Sequence, residues 1–261
     1  TAYLDCYIHE TYQWDIVGKV NKCHPAILIC PGGGYSAVCS FVEGKPFAEE
    51  LNKLGYHAFV VYYRIKDKAR YPHPQEDLKR AIEEVFAHTE EWNLDTDSWS
   101  IWGSSAGGHL AASYCTENWG TPKPSALVLI YPVITMGEYT HKGSRDNLLG
   151  KKASPDIIEK LSVEKQVNSD YPPTFIWYGT ADDTVAPLNT KMLAEALERD
   201  AESIGANDNF FRELGGTSLD YFTLLSIIRS RFGFDISYGE GTNLSTVKEF
   251  SDYLMDTIKN I

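Results

Sequence analysis

All seven histidines of this 261-residue chain, at positions 9, 24, 57, 73, 88, 109 and 141, lie in its first half or just beyond, and none follows position 141. Basic residues are scarce too. The 24 Lys and Arg against 36 Asp and Glu give a formal charge of -12, which excludes the positive footprint that nucleic acid requires and opposes approach to anionic membranes. No apolar run approaches the roughly 20 residues needed to span a bilayer, and no charged-then-apolar signal segment opens the chain. Because Thr1 is not an initiator methionine, a leader or short N-terminal piece is expected to be missing. The five cysteines (6, 23, 30, 39 and 115) are odd in number, scattered, and contain no C-x-x-C, which argues against both a disulfide framework and a zinc site. Reduced, mostly buried thiols in a cytoplasmic protein are the expectation. Internal repeats and low-complexity segments are absent as well.

What is present alternates in period. Ala26-Ile27-Leu28-Ile29-Cys30 is a short continuous apolar run that enters Pro31-Gly32-Gly33-Gly34, as a buried strand enters a glycine loop. Helical spacing follows over Glu43 to Leu54, then a strand-like run over Ala58–Tyr63, then helical spacing from Pro74 through Trp92. Ser98 to Trp102 reads as a strand, Ser105 onward as a helix, Ala126–Tyr131 as a strand, Phe175–Tyr178 as a strand and Leu188 to Leu197 as a helix. Strands and helices alternating at this length predict a doubly wound, mostly parallel sheet. The Gly-, Pro- and charge-rich stretch from Thr135 to Pro173 is expected to be an irregular excursion over the substrate side of that sheet. After about Asp200 only helical spacing remains, in Leu219, Phe222, Leu225, Ile228 and Phe232 and again in Val247, Phe250, Leu254 and Ile258.

The chemistry concentrates at Gly103-Ser104-Ser105-Ala106-Gly107, between the strand and the helix. A serine on that turn is a strained, exposed nucleophile, and it needs a base for its proton and donors for the oxyanion formed on attack. The glycine loop supplies candidate donors in the Gly33 and Gly34 amides, because no Cβ obstructs the approach of a substrate oxygen, and Ala106 N–H supplies another. An ordinary strand-to-helix turn is the plainer alternative. A triad in the order Ser, Asp, His would need a histidine after the acidic loop Gly179-Thr180-Ala181-Asp182-Asp183, and there is none. His73, His109 and His141 are expected to have structural roles; vigorous hydrolysis would instead point to His141 or a histidine of another subunit as the base.

Pro31-Gly32-Gly33-Gly34-Tyr35, Gly103-Ser104-Ser105-Ala106-Gly107-Gly108-His109-Leu110, His141-Lys142-Gly143-Ser144-Arg145-Asp146-Asn147-Leu148-Leu149-Gly150 and Gly179-Thr180-Ala181-Asp182-Asp183-Thr184-Val185 together resemble the α/β-hydrolase superfamily, in its acetylesterase and acetylxylan-esterase-like branch. The resemblance covers about residues 1–199. It implies hydrolysis of short acyl groups, often acetyl, from alcohols or carbohydrates, with no metal or organic cofactor. By D-x-x-V spacing it assigns the orienting acid to Asp182, with Asp183 as the fallback. The usual last strand, histidine loop and closing helix are not recognisable.

Phe211-Arg212-Glu213-Leu214-Gly215-Gly216-Thr217-Ser218-Leu219 sets a serine at the mouth of an amphipathic helix, where a phosphate ester would meet free N–H groups and the positive helix end. An N-cap serine after a glycine turn is the simpler alternative. This segment resembles the phosphopantetheine attachment region of acyl and peptidyl carrier proteins, over about residues 200–261, with 190–200 as a borrowed first helix. The resemblance implies 4'-phosphopantetheine on Ser218, with a phosphopantetheinyl transferase and assembly-line enzymes as partners.

The expectation is therefore an α/β-hydrolase domain followed by a small α-helical carrier-like module. Three functions stay open: a weakly active esterase acting on small acyl esters, a carrier whose hydrolase part is inactive scaffold, and a catalytically dead fusion.

Overall fold

The computed structural model describes residues 2–9, 23–168, 170–197 and 249. Packing divides the chain into a unit of Thr1–Leu197 and a unit of Glu198–Ile261. The expected carrier segment, Ser218 included, lies outside the described residues apart from Glu249.

Six strands form one sheet: β1 (Tyr3–Tyr7), β2 (His24–Cys30), β3 (His57–Tyr62), β4 (Leu94–Ser104), β5 (Ala126–Ile130) and β6 (Thr174–Trp177), in the order β1-β3-β2-β4-β5-β6. All pair in parallel except β1, which runs antiparallel to β3. The helices are α1 (Ser40–Glu43), α2 (Lys45–Lys53), α3 (His73–Ala87), α4 (Thr89–Trp92), α5 (Ser105–Tyr114), α6 (Lys142–Leu148), α7 (Pro155–Lys160) and α8 (Leu188–Ala196).

Alternation along the central strands shows why helices must cover both faces. On β2, Ala26, Leu28 and Cys30 enter one buried cluster together with Leu78 and Ile82 of α3 and Leu110 of α5. Ile27 and Ile29 turn the other way, against Ala48 and Leu51 of α2. On β3, Phe59 and Val61 join the first cluster, Ala58 and Val60 the second. Leu193 of α8 also belongs to the first cluster, and Leu197 packs against it.

Several expectations change in detail. The single helix expected over Glu43 to Leu54 is two, broken at Gly44, where a Cβ would lie 2.8 Å from Val60 Cγ1 and 3.1 Å from Pro31 Cγ. The helix expected from Pro74 through Trp92 pauses at His88 and ends at Asn93, which takes a left-handed φ of 51°. The excursion over 135–173 is more regular than expected: it holds α6 and α7, both with side-chain caps, from His141 and Ser154. The thiols are all free but not mostly buried. Only Cys30 is fully so; Cys6, on the edge strand β1, and Cys23, just before β2, are exposed. Among the described residues no helix is long and apolar enough to cross a membrane, and no group of three His, Cys, Asp or Glu could hold a metal ion.

Candidate active site

Strand β4 ends extended at Ser104 (φ -112°, ψ 138°), and the chain reverses at Ser105, whose φ is 51°. A non-glycine residue in the left-handed region is strained, and such strain persists only where the surroundings over-determine it. Here three glycines do so. A Cβ on Gly103 would lie 2.5 Å from Gly107 O, one on Gly107 would run into the Cys30 and Pro31 carbonyls, and one on Gly108 would lie 2.8 Å from Pro132 Cβ. The turn is therefore pressed against the ends of β2 and β5. Ser105 is half-buried within an otherwise buried stretch, and among the described residues its hydroxyl makes no hydrogen bond.

The glycine loop lies directly beside it. A Cβ on Gly32 would fall 2.8 Å from Ser105 Cβ and 2.9 Å from Ser104 O. Gly33 and Gly34 have φ of 124° and 63°, which bends the loop away from β2 and leaves both half-exposed. Gly33 O accepts the Ser36 and Ala37 amides, at 3.0 and 3.1 Å, and Gly34 O accepts Asn147 Nδ2 at 2.8 Å. Neither Gly33 nor Gly34 donates its own amide to another group among the described residues. Ala106 is buried in the first turn of α5, where amides have no helical acceptor.

Among the described residues no histidine is hydrogen-bonded to Ser105. His109, fully buried on α5, takes the Tyr35 hydroxyl on Nδ1 at 2.9 Å and donates from Nε2 to Leu161 O at 2.8 Å, and burial pushes its pKa down to about 4. His73 turns to Lys68 O. His141 caps α6: its Nδ1 accepts the Ser144 amide at 3.3 Å and lies 2.8 Å from Ser144 Oγ. Its ring borders the loop, since a Cβ on Gly34 would lie 3.6 Å from His141 Cε1. Of the remaining described rings, His57 is held by the His9 amide and Trp92 O, and His88 stacks on Trp92.

Asp182 Oδ1 accepts the Thr184 and Val185 amides, each at 2.9 Å, an Asx turn that fixes the carboxylate on the loop between β6 and α8. Asp183 is exposed. The loop is anchored by Asn189, fully buried, whose Oδ1 takes the Ile134 and Thr135 amides and whose Nδ2 donates to Tyr139 O and Ala186 O.

One residue of this neighbourhood was not legible in the sequence. Glu43 Oε2 accepts the Gly32 amide at 2.5 Å and Oε1 accepts the Tyr131 hydroxyl at 2.9 Å. A carboxylate eleven positions past Gly32 reads as one polar turn of an amphipathic helix. The available signal was Glu43-Gly44-Lys45-Pro46, a breaker pair that ends one helix and starts another.

The BD-FAE family model matches residues 16–197, and a model described as phosphopantetheine attachment site matches residues 190–254, so the two overlap on α8. An acetylxylan esterase of Xylanibacter ruminicola is 35% identical over 173 residues, 65% of this chain and 36% of that protein. An endo-1,4-beta-xylanase B of Butyrivibrio fibrisolvens is 32% identical over 234 residues, 79% of this chain and again 36% of the relative. The chain thus spans little more than a third of either relative. The crystal structure of an acetyl ester-xyloside bifunctional hydrolase from Caldicellulosiruptor lactoaceticus superposes with a TM-score of 0.67 at 33% identity, over 77% of this chain and 74% of that one. Strained serine turn, adjoining glycine loop and doubly wound sheet thus sit in an α/β-hydrolase fold, and the chain belongs to the BD-FAE family, with a phosphopantetheine attachment domain at its C-terminus.

Proposed function

We propose that this protein is a serine carboxylic-ester hydrolase of low turnover that acts on short acyl esters, acetyl esters of alcohols or carbohydrates above all, and that its C-terminal domain carries 4'-phosphopantetheine on Ser218. The observation that carries the first part is the placement of Ser105: a left-handed φ of 51° at a strand end, a hydroxyl without a hydrogen bond among the described residues, and Gly32 packed against its Cβ. In this reading Ser105 attacks the ester carbonyl, the Gly33, Gly34 and Ala106 amides receive the oxyanion, and the alcohol leaves as the acyl-enzyme forms. Water then releases the acid. Asp182 would orient a base, with Asp183 as the fallback. Without one in place, oxyanion donors and binding alone still sustain about 10³ to 10⁴ of acceleration over water, which sets the scale of the turnover.

A specific observation favours a second reading, a carrier whose hydrolase part is scaffold: both nitrogens of His109 are committed elsewhere, and Nδ1 of His141 to its own helix. For Ser218 the support is the attachment-site match over residues 190–254, and the partners that follow are a phosphopantetheinyl transferase and enzymes that load or unload the thiol. We place the protein in the reducing cytoplasm, with its five free thiols.

Two measurements on the full chain test the pair of assignments. Slow release of p-nitrophenol from p-nitrophenyl acetate, lost in Ser105→Ala, supports the esterase; turnover unchanged in Ser105→Ala refutes it. One phosphopantetheine mass added by a broad-specificity transferase, and absent in Ser218→Ala, supports the carrier; an unmodified chain refutes that part. Vigorous hydrolysis at neutral pH would show that a base is supplied after all, with His141 the first candidate.

A further inference from the structure

The strands that flank β4 in the sheet are β2 on one side and β5 on the other. Gly32 lies just past the end of β2, Tyr131 just past the end of β5, and Ser105 between them at the end of β4. One side chain bonds to both outer positions. Glu43, the last residue of α1, accepts the Gly32 amide on Oε2 and the Tyr131 hydroxyl on Oε1. The same point on Gly32 where a Cβ would sit is 2.7 Å from Glu43 Oε2 and 2.8 Å from Ser105 Cβ, so carboxylate and nucleophile face one gap and are no further apart than those two distances combined.

We infer that Glu43 is a positioning residue that straddles the nucleophile strand and holds the glycine loop at the spacing from Ser105 that an oxyanion site needs. Three features support this. The Gly32 amide is committed to the carboxylate, so the loop's share of the oxyanion donors falls to Gly33 and Gly34, one and two residues further on, and their placement depends on where Gly32 is held. A hydrogen bond to an ionised acceptor is about twice as strong as a neutral one, which suits a tether on a loop of three consecutive glycines with little stiffness of its own. Tyr131 also takes a positive φ, 37°, so the carboxylate that holds Gly32 also holds a strained residue at the end of the neighbouring strand, where strain persists only if the surroundings fix it. The catalytic consequence rests on the nucleophile assignment above; the tether itself does not.

The test compares full-length wild type, Glu43→Ala, Glu43→Gln and Tyr131→Phe by two readouts: hydrogen exchange of the 32–38 amides, and the rate at which a fluorophosphonate modifies Ser105. In Glu43→Ala the loop amides are expected to exchange about tenfold faster, with α3 unchanged, and phosphonylation to slow by about ten- to a hundredfold, the factor that corresponds to a charge-assisted bond. Glu43→Gln keeps an acceptor for Gly32 and a donor for Tyr131, so it is expected to recover most of both. Tyr131→Phe alters one anchor without touching charge, and a few-fold faster loop exchange is expected even if Glu43→Ala fails to fold. Wild-type exchange over 32–38 in folded Glu43→Ala, or in Tyr131→Phe should Glu43→Ala not fold, overturns the inference. A wild type that the fluorophosphonate does not modify at Ser105 overturns the esterase reading instead, while the exchange measurement still decides whether Glu43 holds the loop.

Discussion

His109 stands four residues after Ser105 on the same helix, yet its Nδ1 lies 2.9 Å from the hydroxyl of Tyr35, the residue that closes the glycine loop. Both groups are fully buried, and Nε2 donates to Leu161 O, so the pair ties the loop to the core through an uncharged imidazole.

That imidazole makes stability depend on pH. Burial lowers its folded pKa to about 4, below the unfolded value near 6.5, so the unfolded chain binds the extra proton first. The stabilisation is complete above pH 6.5 and is lost as the pH falls from there towards 4, about 3 kcal/mol in all. His57, also lowered chiefly by burial, adds in the same direction. Urea unfolding at pH 7 and pH 4.5 is expected to show a lower midpoint in acid, with a shallower pH slope in His109→Gln; equal slopes in the two proteins would contradict the assignment.

Gly107→Ala is expected to be far more damaging than an ordinary glycine-to-alanine change in a helix. The helical preference for alanine is worth about 1 kcal/mol, but the new methyl group would run into the Cys30 and Pro31 carbonyls, which are backbone and cannot rotate away. Loss of soluble folded protein, or a midpoint several degrees lower, is the expected outcome. A stabilised variant would show that α5 does not press on β2 as described.

Much of this architecture could be read before any coordinates. The run Ala26–Cys30 announced β2 because a parallel central strand is apolar on both faces, and the two glycine motifs announced close backbone contact that only glycine permits. Strand β1 gave no such signal. It is an antiparallel edge strand with Tyr3 and Cys6 exposed, held by its ladder to β3, by the Tyr62 hydroxyl on Asp5 and by the stacking of Tyr3 on Tyr62 at 4.1 Å, all contacts distant in sequence. Helices α6 and α7 are too short for periodicity to register, although Ser154-Pro155 was a start signal. Glu43 was invisible for a different reason: its role is to bridge two loops, and bridging leaves no period in the sequence.

Asn189 should be the most sensitive polar residue of the β6–α8 side. Its side chain satisfies two buried amides and two part-buried carbonyls at once, so Asn189→Ala leaves the buried Ile134 and Thr135 amides without their acceptor. A loss of about 3 kcal/mol in urea unfolding of the hydrolase unit is expected, from about 1–3 kcal/mol per unsatisfied group. A loss below about 0.5 kcal/mol would mean the loop re-pairs those groups by itself.

If Ser105 is the reactive hydroxyl, a fluorophosphonate should mark it irreversibly, because the adduct forms at the nucleophile without requiring turnover, and intact-protein mass reads that adduct. A single adduct is expected, mapped to Ser105 and absent in Ser105→Ala. No adduct, or the same adduct in Ser105→Ala, would contradict it.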